Sequence, residues 1–195
     1  MPRGRPRKFD EDAALNGAMF VFWQKGLSAT SLDDLVLAMG MNRPSIYNAF
    51  GNKDQVYRKA LARFCGQLDI GVQETFETIP DLQEGLQAFF NRAIDVYCGT
   101  NPALGCLMVC TAPGEAFLHP QVGDDLKELI QRLDQSFARR LARARTEGKL
   151  SPGVNPKMAA SLLQATLQTI ALRARTGASK TALKKIAAYA IEKLV

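Results

Sequence analysis

The chain has 195 residues, enough to bury a sizeable core, and its 47% hydrophobic and 23% charged content is that of a folded globular protein. No apolar run approaches the roughly 20 residues that cross a bilayer, and the start, MPRGRPRKFD, lacks the apolar stretch of a signal peptide; a cytoplasmic protein without a membrane partner is expected. The formal net charge of +6 is uneven: Arg3, Arg5, Arg7 and Lys8 precede the first acid, and residues 1–60 hold nine Lys and Arg against six Asp and Glu, which fits a polyanionic partner.

Asp10 or Glu11 opens a first helix whose apolar stripe is Ala14, Leu15, Ala18, Met19 and Phe22; Gly26 ends it and Leu27 packs behind the cap. Thr30 or Ser31 caps a second, with Leu32, Leu35, Val36 and Met39 on one side and Asp33 and Asp34 in the first turn, where the helix dipole favours negative charge. Gly40 stops it. Asn42 caps a third helix, Pro44 costs no backbone donor in the first turn, and Ile46 and Phe50 point back at the second. That leaves Arg43, Ser45, Tyr47 and Asn48 outward. A guanidinium, a hydroxyl, a phenol and an amide on the free face of a short helix suit groove reading and phosphate contact, so residues 31–50 read as a helix-turn-helix.

Asn52 caps a fourth helix over 53–77, with Val56, Ala60, Phe64 and Leu68 inward, and Pro80 and Asp81 break it. A fifth is expected over 82–98, a sixth over 106–112 ended by Pro113 and Gly114, and a seventh over 120–148. The last two, 156–176 and 179–194, are apolar on more than one side: Met158, Leu162, Ala165 and Leu172 mark one stripe, Leu163, Leu167, Ile170 and Ala174 another. A helix apolar on two faces needs two partners, so the first stripe, with Leu183, Ile186 and Ile191 of the last helix, is expected to form a homodimer interface. The alternative is a helix buried within a monomeric bundle.

The residues from about 7 to 57 resemble the DNA-binding domain of the TetR family of bacterial transcriptional regulators. The likeness rests on 18–26 (AMFVFWQKG) with Leu27, then Thr30-Ser31-Leu32 and Leu35, Met39-Gly40-Met41, Ser45-Ile46-Tyr47, Phe50 and Lys53. Where the family commonly places an aromatic or His before that Phe, this chain has Ala49. Over the remainder the likeness is looser, carried by Gly105-Cys106-Leu107-Met108 and the turn Glu147-Gly148-Lys149-Leu150. The resemblance implies an all-α fold of about nine helices: a basic arm (1–8), a helix-turn-helix domain (9–68), and a helical regulatory and dimerisation domain (69–195). It also implies an unknown small-molecule inducer.

Candidate phosphate contacts are Thr30, Tyr47 and Lys53, and candidate base readers Arg43, Ser45 and Asn48. Arg3-Gly4-Arg5-Pro6 resembles the core of AT-hook motifs, which lie in the minor groove of A·T-rich DNA; the alternative is a basic tail that raises non-specific affinity. Phe64, Phe89, Phe90, Tyr97, Met108, Phe117 and Phe137 fall in the region that encloses the inducer in proteins resembling this one, although aromatics at helical spacing are also ordinary core. Of the four cysteines, Cys65, Cys98, Cys106 and Cys110, Cys106 is the candidate oxidant or electrophile sensor; the alternative is a small buried hydrophobe, since no Lys or Arg stands in 104–112 to lower a thiol pKa. With one His, His119, and no C-x-x-C pair, no metal or cofactor is expected, and no catalytic grouping is found. The expectation is a ligand-responsive repressor that binds a palindromic operator on double-stranded DNA as a dimer, its rivals being a thiol-based sensor, an architectural DNA-binding protein and a helical carrier or enzyme.

Overall fold

The computed structural model describes residues 10–195, all of whose regular structure is helical. The basic arm, with Arg3, Arg5, Arg7 and Lys8, lies outside the described residues. Helix α1 spans Glu11–Lys25, α2 Leu32–Met39 and α3 Arg43–Phe50. Each begins where a polar side chain satisfies an orphan N–H: Asp10 accepts from Asp12 and Ala13, Ser31 from Asp34, and Asn42 from Ser45. Ser31 and Asp34 form a reciprocal capping box, so Ser31 rather than Thr30 is the cap. The three helices close on Ala18, Phe22, Leu35, Met39, Ile46 and Phe50, all buried. Where α1 crosses α2, a Cβ on Gly17 would stand 2.1 Å from the Ala38 carbonyl oxygen; only glycine lets the two backbones approach this closely.

Helix α4, Lys53–Val72, is capped by Asn52 in a second capping box with Gln55 and runs on into a π-helical turn, Gln73–Glu77. The expected continuous element is there, its last turn wider than α. The remaining helices are α5 (Leu82–Tyr97), α6 (Leu107–Glu115), α7 (Pro120–Thr146), α8 (Pro156–Arg175) and α9 (Lys180–Leu194). Pro113 lies inside α6 rather than ending it. Gly105 precedes α6 at φ 71°, with its Cα so close to α8 that a Cβ would meet the Ala171 carbonyl oxygen at 2.4 Å.

One continuous core joins the three-helix head to the five-helix body, α4 being common to both. Phe22 of α1 packs edge-on against Tyr57 of α4, and Trp23 against Phe64, both at 5.0 Å between ring centroids. No helix among the described residues is long and apolar enough to cross a membrane.

Candidate nucleic-acid interface

Helix α3 is held by its buried side, Ile46 and Phe50, and presents Arg43, Tyr47 and Asn48 exposed with Ser45 half-exposed. The Asn42 side chain takes the Ser45 N–H at 2.9 Å, which orients the first turn outward. Arg43 is not idle: its Nη2 donates to Asp33 Oδ1 of α2 at 2.7 Å, and that carboxylate holds the guanidinium pKa above its ordinary value. The pair is fully in solvent, where such pairs contribute little, so a phosphate or a guanine edge can take the guanidinium from it.

One expected phosphate contact is corrected, and a second is engaged within the chain. Thr30 is 1% exposed and its hydroxyl donates to the Gly26 carbonyl, so it locks the turn between α1 and α2 instead of facing outward. Lys53 Nζ donates to the carbonyls of Leu27 and Thr30, each at 3.0 Å. Its ammonium, on a half-exposed side chain, closes the same turn from the α4 side and keeps one N–H beyond these two bonds. Asp34 is held likewise: Lys25 at 2.7 Å, with the Ser31 N–H and hydroxyl, lowers its carboxyl pKa to about 2.

In the body, Phe64, Phe89, Phe90, Tyr97, Met108 and Phe137 are all buried. Phe76, which the sequence reading did not single out, joins them: it lies 5.1 Å from Phe89 and 5.3 Å from Phe137, and Phe89 lies 5.5 Å from Phe137. These rings close on one another. The gap beside them, lined by Phe64, Leu68, Phe89, Ala93 and Val96, has room for about 20 Å³, close to one water molecule. Phe117 is corrected: it is 92% exposed on the turn between α6 and α7 and lines nothing internal.

All four cysteines are free thiols. Burial pushes the Cys106 thiol up to about 12, and Cys65 likewise. Cys106 has neither the exposure nor the neighbouring cation of a reactive thiol, so it packs as a small hydrophobe.

On α8 the two stripes separate. Leu163, Leu167, Ile170 and Ala174 are buried in the body, whereas Met158, Leu162, Ala165 and Leu172 are exposed along one face. On α9 the expected interface residues are corrected: Leu183 and Ile191 are buried in their own protomer and Ile186 is half-buried, while Tyr189, 64% exposed, is the large apolar side chain that α9 offers outward.

Long-range polar contacts that periodicity could not reveal bolt the head to the body. Trp23 Nε1 donates to the Gly105 carbonyl at 3.1 Å. Arg175, at the end of α8, donates to the carbonyls of Trp23 (3.0 Å), Gln24 (3.2 Å) and Leu104 (3.0 Å), which satisfies the C-terminal carbonyls of α1. Glu115 of α6 accepts from the Ser28 N–H at 2.8 Å and from its hydroxyl at 2.5 Å. Tyr57 and Thr111 share a buried hydrogen bond of 2.7 Å. Arg58 forms two bonds to Asp125, and His119 Nδ1 lies 2.9 Å from Asp54 of α4.

These features have counterparts in known proteins. Residues 14–60 match the family described as bacterial regulatory proteins, tetR family, and residues 83–190 match the tetracyclin repressor-like C-terminal domain. The chain is 32% identical over 191 residues, 95% of its length and 89% of the relative's, to the HTH-type transcriptional repressor ComR of Escherichia coli K12. It is 23% identical, over 90% of its length and 87% of the relative's, to the HTH-type transcriptional repressor DhaR of Mycobacterium sp. GP1. Among solved structures, a cysteine-substituted form of the TetR family regulator CifR, complexed with 26-bp double-strand operator DNA, superposes with a TM-score of 0.87 at 27% identity, covering 98% of this chain and all of that one. The outward face of α3, mounted on a three-helix head and bolted to a helical body, is the candidate face for DNA in what is a DNA-binding transcriptional regulator, and the chain belongs to the TetR family.

Proposed function

We propose that this regulator is a cytoplasmic, ligand-responsive repressor, without catalytic activity, that binds a palindromic operator as a homodimer. The observation that carries the reading is the exposed apolar stripe Met158, Leu162, Ala165 and Leu172 on a helix whose opposite face is already buried. A second copy covers that stripe and sets two α3 helices facing successive major grooves, which lie about 34–36 Å apart. Arg43, Ser45 and Asn48 then meet base edges, and Tyr47 meets the backbone. The head extends through residue 68 and the regulatory body from residue 69. The arm, on its Arg3-Gly4-Arg5-Pro6 sequence, follows the adjacent minor groove where A·T pairs narrow it.

In this reading the unknown ligand enters among the aromatic side chains of the body and favours a state in which the heads are mis-spaced. It acts only through its differential affinity for the two states, and a few kcal/mol is enough to empty the operator. Selection from a random duplex pool with the full chain tests the proposal. An inverted repeat with half-sites one helical turn or a multiple apart is the expected result. Recovery of direct repeats, single half-sites or no consensus contradicts it.

A further inference from the structure

The body buries a guanidinium that no carboxylate among the described residues pairs with directly, although Glu147, Asp81 and Glu77 stand near enough to attract it. Arg140 on α7 is 3% exposed. Its Nη2 donates to the carbonyls of Ile79 (3.2 Å) and Pro80 (2.9 Å), in the turn before α5, while Nε and Nη1 are enclosed and bond to nothing. Carbonyl oxygens accept hydrogen bonds but bring no negative charge, and among the described residues no carboxylate stands at ion-pair distance from this guanidinium. Burial, together with repulsion from Arg143, lowers its pKa from the ordinary value against the attraction of Glu147, Asp81 and Glu77. A desolvated cation with idle donors is costly, and buried polar groups are almost always partnered in folded proteins.

Its position says what would answer it. Phe137 lies one turn before Arg140 on the same buried face of α7. Phe76 packs on Phe137 at 5.3 Å and lies three residues before Ile79, whose carbonyl Arg140 holds. The helix that carries the guanidinium and the turn that it holds both adjoin the cluster formed by Phe76, Phe89 and Phe137. One buried cation neutralises one charge; the neighbouring Arg139 and Arg143 are exposed, so no second cation is set inside for a dianion.

We infer that the body binds a monocarboxylate with an apolar tail, its carboxylate on the idle donors of Arg140 and its tail among Phe76, Phe89 and Phe137. This names the ligand class for the ligand-responsive reading above and rests on it. Because the rings now close on one another, the tail displaces them, trading ring contacts for contacts with itself, while the head group supplies the charged acceptors that Nε and Nη1 lack. A ligand of the same shape without charge gains only the first of these.

Calorimetry and thermal shift on the full chain decide this, with octanoate and phenylbutanoate as probes and octanamide and phenylbutanamide as their uncharged counterparts. Each acid is expected to raise the Tm and to bind about tenfold or more tighter than its amide. Comparison of the two acids tells an aliphatic from an aromatic tail. Arg140→Gln should bring acid and amide to within about twofold of each other, the acid losing the more. Should that variant fold poorly, the acid-against-amide comparison on the unaltered protein decides alone. Equal binding of acid and amide, or no binding of either acid at millimolar concentration, overturns the inference; an enclosed water that satisfies the donors would give that result. Operator release is scored separately. Acid binding without release upholds the site and removes the ligand-responsive reading, whereas release by amides as readily as by acids upholds that reading and overturns the site.

Discussion

At the outer face of α3, Asp33 pairs with the Arg43 guanidinium that the proposed operator contact requires. Arg43→Ala should lower affinity for the operator about tenfold and relax preference at one base pair of each half-site, with less effect on random duplex. Asp33→Asn should raise affinity for both duplexes, because it removes a negative charge that faces the phosphates. Fluorescence anisotropy on the two duplexes checks both. Equal losses on operator and random DNA for Arg43→Ala would make it a phosphate contact. Asp34 is the titrating group of the head: its pKa lies below the unfolded value, so its stabilisation is complete above about pH 4 and is lost as pH falls toward 2. An NMR titration of the Asp34 carboxyl should report that midpoint, and a midpoint near 4 would mean that Lys25 and Ser31 do not hold it. Among the thiols, Cys98 is half-buried and its pKa is raised less than that of Cys65 or Cys106, which at about 12 leave a thiolate fraction of about one in a hundred thousand at pH 7. Iodoacetamide at neutral pH should label Cys98 first and leave Cys106 untouched in the folded protein, as read by peptide mass spectrometry; prompt labelling of Cys106 would restore the sensor reading. That Arg43 faces outward was legible from the period of α3. That Thr30 turns inward was not, because a Thr before a helix caps it or seals the turn behind it according to where the neighbouring helix passes.

At the scale of elements, helix starts were the most legible features, since Ser31, Asn42 and Asn52 each carry the side chain that an N-terminus needs. Pro113 misled the reading of α6 for a physical reason: at the seventh of nine helical positions it costs one hydrogen bond, and packing against the head and α8 outweighs that cost. The period of α8 shows two apolar stripes but cannot say which one its own chain covers. On α9 the same ambiguity placed Leu183 and Ile191 on the wrong side. This separation sharpens the test of the dimer. Leu162 and Leu172 are 49% and 51% exposed in the protomer, so Leu162→Glu and Leu172→Glu should yield folded monomers that have lost operator binding. Leu183→Glu buries an unpaired charge in the protomer and should cost about 4 kcal/mol or more of stability. Light scattering with thermal unfolding separates the two outcomes, and dimers persisting at micromolar concentration for both α8 variants would move the interface elsewhere.

At the scale of the whole molecule, the account holds that the body, not the head, sets the spacing of the two reading helices. Arg175 is its simplest probe, because it sits at the end of α8, the proposed interface helix, and holds the last carbonyls of α1. None of this was legible in the sequence: Arg175 and Trp23 are 152 residues apart, and nothing in the period of either helix links them. Electron–electron distance measurement between spin labels on Asn48→Cys, in a Cys98→Ser background and without DNA, tests the account most directly. The unaltered junction should give a narrow distribution compatible with the roughly 34–36 Å spacing of major grooves, and Arg175→Ala should broaden it while the dimer persists. A distribution that is already broad with the junction intact, or one that Arg175→Ala leaves unchanged, would contradict the claim.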